Sequence, residues 1–199
     1  MLPRFAEFDP RPAQAPPLAG ADGFIVRPGA SGDVPALAAL SAARGGSLVS
    51  ESSRAFRDQL EAGAAGVGHL LVADLSGEII AFGKTRRFTA PGDAPANLCP
   101  DGWYLTGLIV APRHRRRGVA TLLTAARLRW IAERAEEAYY FANSMNRVSI
   151  DLHRRFGFEE VTRDFAYPGV TFTNGAGILF RASLAMGAAG KKPGSRDRW

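Results

Sequence analysis

Val110-Ala111-Pro112-Arg113-His114-Arg115-Arg116-Arg117-Gly118-Val119-Ala120 joins the most strand-like run of the chain to its most regular helix. Upstream, Trp103 to Val110 reads as a buried strand interrupted by Gly107. A glycine inside a strand suggests a bulge, or a close approach by another backbone or a ligand. Downstream, from Gly118 to about Glu136, the apolar positions Val119, Leu122, Leu123, Ala126, Trp130 and Ile131 follow i, i+3, i+4 spacing, the signature of an amphipathic helix. The start of such a helix offers free backbone N–H groups and the positive end of its dipole, a ready site for phosphate or pyrophosphate. Gly118 and Ala120 keep bulky side chains away from those amides, and four arginines within five residues add a positive field. The segment is neither a Walker loop, which needs Lys and then Ser or Thr after the glycine, nor a Gly-x-Gly-x-x-Gly dinucleotide turn. A nucleic-acid patch is the rival reading of the arginines, but such patches rarely end in a Gly-x-Ala helix start.

Around this segment the apolar period switches repeatedly between about 2 and about 3.6, so the chain mixes α and β structure. Phe24 to Arg27 reads as a short strand. Asp33 followed by Pro35 reads as a helix start, with Leu37 and Leu40 buried and an end near Arg44. Ser52 or Ser53 is expected to cap a second helix, closed by Gly63. Leu70–Ala73 and Ile79–Phe88 flank Ser76 and Gly77 as an antiparallel hairpin. After a Pro- and Gly-rich loop at 91–102 and the central strand and helix come a strand at Ala138–Ala142 and a helix at Asn146–Phe156 ended by Gly157. Closing strands are expected at Phe158–Tyr167 and Ile178–Leu184. Residues 1–23 are rich in Pro, Ala and Gly and read as an extended arm anchored through Phe5 and Phe8; residues 187–199 read as a loose basic tail. Residues 24–186 are left as one domain, and at this length a single core needs no disulfide or metal to support it.

The chain of 199 residues carries 25 Lys and Arg against 19 Asp and Glu, a formal charge of +6. The arginines of the turn contribute +4 and the tail +3, which leaves every other residue together at −1. The basic character thus belongs to one turn and one tail, pointing to the phosphates of a cofactor more than to nucleic acid. A single cysteine, Cys99, excludes an internal disulfide, and His69, His114 and His153 form no familiar metal-ligand spacing, so no metal is expected. No apolar run approaches the roughly 18 residues of a spanning helix, and Met1 to Pro17 lacks the apolar core of a signal peptide, so the expectation is a cytoplasmic protein without membrane contact.

A second polar feature lies downstream. Asn146, Ser149 and His153 stand at i, i+3 and i+7, within about a 60° arc of one helix face, beside the apolar Val148, Leu152 and Phe156. Such a stripe is either the solvated edge of a half-buried helix or one wall of a site.

With both segments in view, Val110 to Ala120 resembles the acyl-CoA-binding motif of the GNAT superfamily of N-acetyltransferases. Asn146-x-x-Ser149-x-x-Leu152-His153-x-x-Phe156-Gly157-Phe158 resembles that family's second signature. The order of elements is also similar, from about Phe24 to Leu184. The resemblance implies an α/β (α+β) fold with a mixed, mostly antiparallel sheet of six to seven strands, helices on both faces, and the fourth and fifth strands splayed. It implies acetyl-CoA as acyl donor and an amine acceptor on a small molecule or peptide. Leu108 and Val110 would pair with the pantetheine, Arg115, Arg116, Arg117, Gly118, Val119 and Ala120 would hold the pyrophosphate, and Ile109 and Thr121 would also bind the cofactor. Asn146 and Ser149 would hydrogen-bond the CoA arm, and His153 would touch it. Homodimerisation is common in the family. A shorter similarity, from Tyr104 through Gly107 and Val110 to Pro112, is to aminoglycoside acetyltransferases. The rivals to an amine acetyltransferase are a GNAT fold that binds CoA without catalysis and a basic nucleic-acid-binding module.

Acyl transfer from a thioester to an amine needs a neutral nucleophile, stabilisation of the oxyanion, and a proton for the departing thiolate. The resemblance implies the Val110 N–H as oxyanion donor. The family usually carries a Tyr where this chain has His153; with a reference pKa near 6.5, imidazole can donate a proton and so fill that role. Trp103 to Val110 contains no carboxylate to serve as base. By element position Glu51, Glu78 and Asp101 are the nearest, and an ordered water chain or an already neutral amine needs none of them. Trp103, Tyr104, Phe165, Tyr167 and Phe172 are read as core or as an acceptor pocket.

Overall fold

A computed structural model describes residues 18–19, 23–44, 48–172 and 176–184. Leu70, Leu71, Val72 and Ala73 are all buried, a run that only a strand covered on both faces sustains. They lie in β3 (Gly68–Leu75), which forms the expected hairpin with β4 (Glu78–Phe88). Before it come β1 (Leu18–Ala19), β2 (Ile25–Pro28), α1 (Val34–Ala42) and α2 (Val49–Ala64). After it come β5 (Gly102–Val110), α3 (Val119–Ala132), β6 (Glu137–Asn143), α4 (Arg147–Arg154), β7 (Glu159–Thr162) and β8 (Gly177–Ser183). The strands make one sheet in the order β1-β2-β3-β4-β5-β6-β8-β7, antiparallel except where β5 meets β6.

Successive residues of a strand face opposite sides, and the packing follows that rule. Leu70 and Val72 pack with Val34 and Leu37 of α1 and Phe56 of α2, whereas Leu71 and Ala73 pack with Val119, Leu123 and Ala126 of α3. At the other end of the sheet, Leu105, Tyr140 and Phe180 pack on Leu128 and Ile131 of α3 and Ile150 of α4. Tyr104, Tyr139 and Leu179 face the opposite way and are covered by Cys99, Phe88, Phe165 and Tyr167, residues of loops and strand ends. Helices therefore cover both faces, as expected.

Three boundaries differ from the sequence reading. Leu18–Ala19 pairs with Val26 and Ile25, adding an eighth strand inside the stretch read as an arm; two residues have no periodicity, and the partner strand alone defines them. The rest of the arm before Leu18, Phe5 and Phe8 included, and the tail from Gly187 lie outside the described residues. The second helix starts at Leu48, not at Ser52 or Ser53: Glu51 reaches back to accept from the Leu48 N–H (3.2 Å), and Ser52 is buried inside the helix. Phe158–Tyr167 supplies only a four-residue strand, because beyond Thr162 the chain leaves the sheet to cover Tyr104 and Phe141.

The feature that opens the site is a fork between β5 and β6. Each is fully laddered to its outer neighbour, β5 to β4 as far as Val110 and β6 to β8 over its whole length. To each other they pair only at Tyr104 with Tyr139 and Leu105 with Tyr140. Beyond that point Gly107, at φ +58°, is an extra residue in the ladder to β4, since Thr106 pairs with Lys84 and Leu108 with Gly83. A bulge of this kind bends and twists its strand, and here it turns β5 away from β6.

Candidate functional site

Strand alternation decides what the fork presents. The Ala111 N–H reaches back to Ile80 O (2.9 Å), so the N–H and C=O of Val110 point the other way, into the gap. The Arg115 Nε donates to that carbonyl (3.2 Å), leaving the Val110 N–H open to a ligand. Leu108, Ile109 and Val110 line one wall of a groove of about 1510 Å³; Tyr140, Phe141 and Ala142 of β6 line the other.

The same groove runs on to the start of α3. A 3-10 turn at Pro112–His114, tied down by an ion pair from Arg113 to Glu78 and by the Arg113 Nε donating to His114 (3.0 Å), leads into Arg115 and Arg116. Gly118 caps α3 at φ +78°, a left-handed conformation costly to a residue with a side chain. The first helical bond runs from the Leu122 N–H to Gly118 O, so the amides of Val119, Ala120 and Thr121 are left open at the helix end. Arg115, Arg116, Gly118, Val119, Ala120 and Thr121 all line the groove; Arg117 does not.

The polar stripe of α4 forms part of the opposite wall. Asn146 caps the helix, its Oδ1 accepting from the Ser149 N–H (3.3 Å), and the Ser149 Oγ accepts from the Tyr140 hydroxyl (2.6 Å). Of the neighbouring apolar side, Val148, which is exposed, and Leu152 also line the groove, whereas Phe156 packs against the core. His153 is 2 % exposed and stacks flat on Tyr140, with ring centroids 3.7 Å apart. Its Nδ1 lies 2.8 Å from Ser149 O and must carry the hydrogen, because a carbonyl only accepts. Nε2 is then a bare lone pair, buried and without a partner among the described residues. Burial pushes the His153 pKa down to about 4, with the nearby Arg127 acting in the same direction and the Ser149 carbonyl opposing. At neutral pH this imidazole is uncharged with its only N–H engaged. That geometry departs from the general-acid role expected of it, and the physical cause is desolvation.

Two groups escaped the sequence reading. Tyr140 carries the hydroxyl nearest the stripe, and burial raises its pKa to about 12, so it stays protonated. Arg127, 1 % exposed on α3, spreads its guanidinium against Gly83, where a Cβ would lie 2.9 Å from Nε. It donates to Leu123 O, Lys84 O and Thr124 Oγ1 at 3.1 to 3.3 Å, has no carboxylate partner among the described residues, and borders the groove. Burial lowers its pKa to about 9. The signal for Arg127 was its spacing, four residues after the core residue Leu123 on an otherwise apolar face.

The expected base candidates lie elsewhere. Glu51 caps α2, Glu78 holds Arg113, and Asp101 accepts from the Ala90 N–H (2.7 Å). The carboxylates that do line the groove are Asp58 and Asp151. Of the aromatic candidates, Trp103 and Tyr104 are core, the Tyr104 hydroxyl donating to Pro100 O (2.6 Å); Tyr167 and Phe172 line the groove, and Phe165 packs behind them.

A forked sheet, an open helix N-terminus and a single groove joining them describe a fold that can hold a long phosphorylated arm. The family model described as the Acetyltransferase (GNAT) family matches residues 38–158, more than half of the chain, and the chain belongs to that family. It is an acetyltransferase of GNAT fold. Among solved structures it is similar to ribosomal-protein-alanine N-acetyltransferase from Brucella melitensis (20% identity, TM-score 0.61, covering 80% of this chain and 99% of that one). It is also similar to an N-acetyltransferase from Staphylococcus aureus (16% identity, TM-score 0.61, 81% and 99% covered). PaiA N-acetyltransferase from Thermoplasma acidophilum, in complex with coenzyme A, is similar over 81% of this chain and 99% of its own, at 13% identity and TM-score 0.58. No curated protein sequence matches closely enough to count as a relative. Among the described residues no helix is long and apolar enough to cross a membrane.

Proposed function

We propose that the chain transfers an acetyl group from acetyl-CoA to an amine by direct attack on the thioester. The observation that carries this reading is the continuity of one groove from the fork at Leu105 and Tyr140 to the amides at the start of α3. The pyrophosphate rests on the amides of Gly118 to Thr121, with Arg115, Arg116 and Arg117 supplying positive charge. The pantetheine lies along Leu108, Ile109 and Val110 and completes the β5 edge that β6 leaves unpaired. Asn146, Ser149 and His153 border the arm from the α4 side, the bare Nε2 of His153 being the acceptor for one of its N–H or O–H groups.

The amine nitrogen forms a bond to the thioester carbon, and the oxyanion that results is held by the Val110 N–H. Collapse breaks the C–S bond. The nitrogen gives up one proton to water in the groove, and the CoA thiolate takes one from the hydroxyl pair of Tyr140 and Ser149, so that the products are the acetylated amine and the free CoA thiol. Because Tyr140 donates to Ser149, the Ser149 hydrogen is free to pass to sulfur and be replaced from Tyr140, which regains its own proton from the water that took the one from nitrogen. Arg127 adds a positive charge that favours the thiolate as it leaves. A cytoplasmic location and assembly as a homodimer belong to the same proposal, the latter read by light scattering.

Two measurements test the reading. Millimolar acetyl-CoA is expected to raise the melting temperature, and thiol is expected to appear only when acetyl-CoA and an amine are both present. No stabilisation by acetyl-CoA would overturn the proposal.

A further inference from the structure

The far end of the groove, on the α1–α2 side, carries a charge pattern that acetyl-CoA does not explain. Lys84 of β4 is half-buried, its Nζ 5.6 Å from the centre of the Phe56 ring. Its side chain crosses the bulge: a Cβ on Gly107 would lie 2.8 Å from Lys84 Cε. The ammonium thus stands beside the point where β5 leaves β6, which is where the thioester must lie if the arm follows the fork. Burial, reinforced by the positive charge of Arg86, lowers the Lys84 pKa.

No carboxylate among the described residues pairs with this ammonium. Arg86, two residues along β4, and Arg44, just after α1, line the same end of the groove, again without a carboxylate partner among the described residues. Asp58 of α2 is the single acid on this side, and it too is unpaired among the described residues. A partly desolvated ammonium is costly unless an anion meets it, and a ligand carboxylate would supply one. Three cations and one acid repel a polycationic acceptor such as an aminoglycoside. The remaining wall is aromatic: Phe141, Tyr167 and Phe172, with Phe141 to Tyr167 centroids 4.8 Å apart.

Resting on the acetyl-transfer reading, we propose that the acceptor is a small α-amino acid with an apolar side chain, its carboxylate held by Lys84 and Arg86. With the ammonium beside the bulge, an anion on the carbon next to the amine brings that amine to the fork. The apolar side chain lies against Phe141, Tyr167 and Phe172. The same cations disfavour the ammonium form of the bound amine, which eases formation of the neutral nucleophile without a carboxylate in β5.

The test compares L-phenylalanine, L-phenylalaninamide, phenethylamine and an aminoglycoside in two assays: thiol release from acetyl-CoA, and melting temperature of the CoA-loaded protein. L-phenylalanine is expected to exceed its amide and phenethylamine at least tenfold in kcat/KM, and to be the one that stabilises the CoA-loaded protein. Lys84→Met is expected to remove that preference through KM while leaving CoA affinity unchanged, which also reports that the variant is folded. Turnover of the amide, phenethylamine or aminoglycoside at least equal to that of the amino acid overturns the acceptor class and leaves acetyl transfer standing. A panel without turnover, in which the amino acid also fails to stabilise the CoA-loaded protein, overturns it as well. Failure of acetyl-CoA itself to bind overturns instead the reading on which it rests.

Discussion

Replacing Gly118 by Ala separates the two jobs assigned to that residue. At φ +78° an L-residue costs roughly 1–2 kcal/mol. A Cβ there meets no atom within 4 Å, so the folded protein suffers the backbone cost alone. For a chain of this size that corresponds to a melting temperature lower by roughly 2–8 °C. Gly157, after α4, is a matched control: its φ is +80°, its Cβ would also stand in open space, and it does not line the groove. Gly157→Ala is expected to lose about as much stability. Only Gly118→Ala places a methyl group where the pyrophosphate rests. Losing one charge-assisted hydrogen bond there costs roughly 1.5–3 kcal/mol, so the CoA Kd is expected to rise about 10- to 100-fold. Calorimetric titration of CoA into both variants, beside their melting curves, checks this. Equal CoA affinity in the two variants, at similar stability, would refute the amide cradle.

Other outcomes follow from the same structure. Tyr140→Phe keeps the stack on His153 but removes the 2.6 Å hydrogen bond to Ser149; stability is expected to fall by about 1 kcal/mol and kcat by more than tenfold with CoA affinity unchanged, as single-turnover thiol release would report. Because the His153 pKa is about 4 in the folded protein and about 6.5 when unfolded, the unfolded chain binds the extra proton: its contribution is complete above pH 6.5 and is lost as pH falls towards 4. That amounts to about 3 kcal/mol, so urea unfolding of His153→Gln is expected to show a shallower decline of stability between pH 6.5 and 4 than the parent chain. Leu123→Ala, at a fully buried position between α3 and the sheet, is expected to cost about 2–5 kcal/mol in the same urea assay without any specific effect on the groove.

What was legible in the sequence was what repeats. The α3 periodicity, the buried runs of β3 to β5 and the glycine inside β5 each depend on neighbours a few residues away, and the bulge at Gly107 stands where the pattern broke. The anion turn was legible for the same reason, since its arginines, glycine and helix start are contiguous. The site residues that went unread are those whose surroundings come from distant segments. Tyr140 looked like any strand tyrosine until β6 and α4 came together and set its hydroxyl on Ser149. The pKa of His153 is governed by burial, which no spacing rule reveals. Lys84 faces the fork because of a register shift on the partner strand, and Glu51 was consumed by a helix start three residues earlier than itself. The strand at Leu18–Ala19 is shorter than any period and exists only as a pairing with β2.

Backbone amide hydrogen exchange, with and without saturating acetyl-CoA, tests most directly whether the donor occupies the fork. The account predicts slowed exchange at Val110 on β5 and at Val119, Ala120 and Thr121 at the start of α3, with β1 and β2 unaffected. Unchanged exchange at those four amides under saturating acetyl-CoA would contradict it.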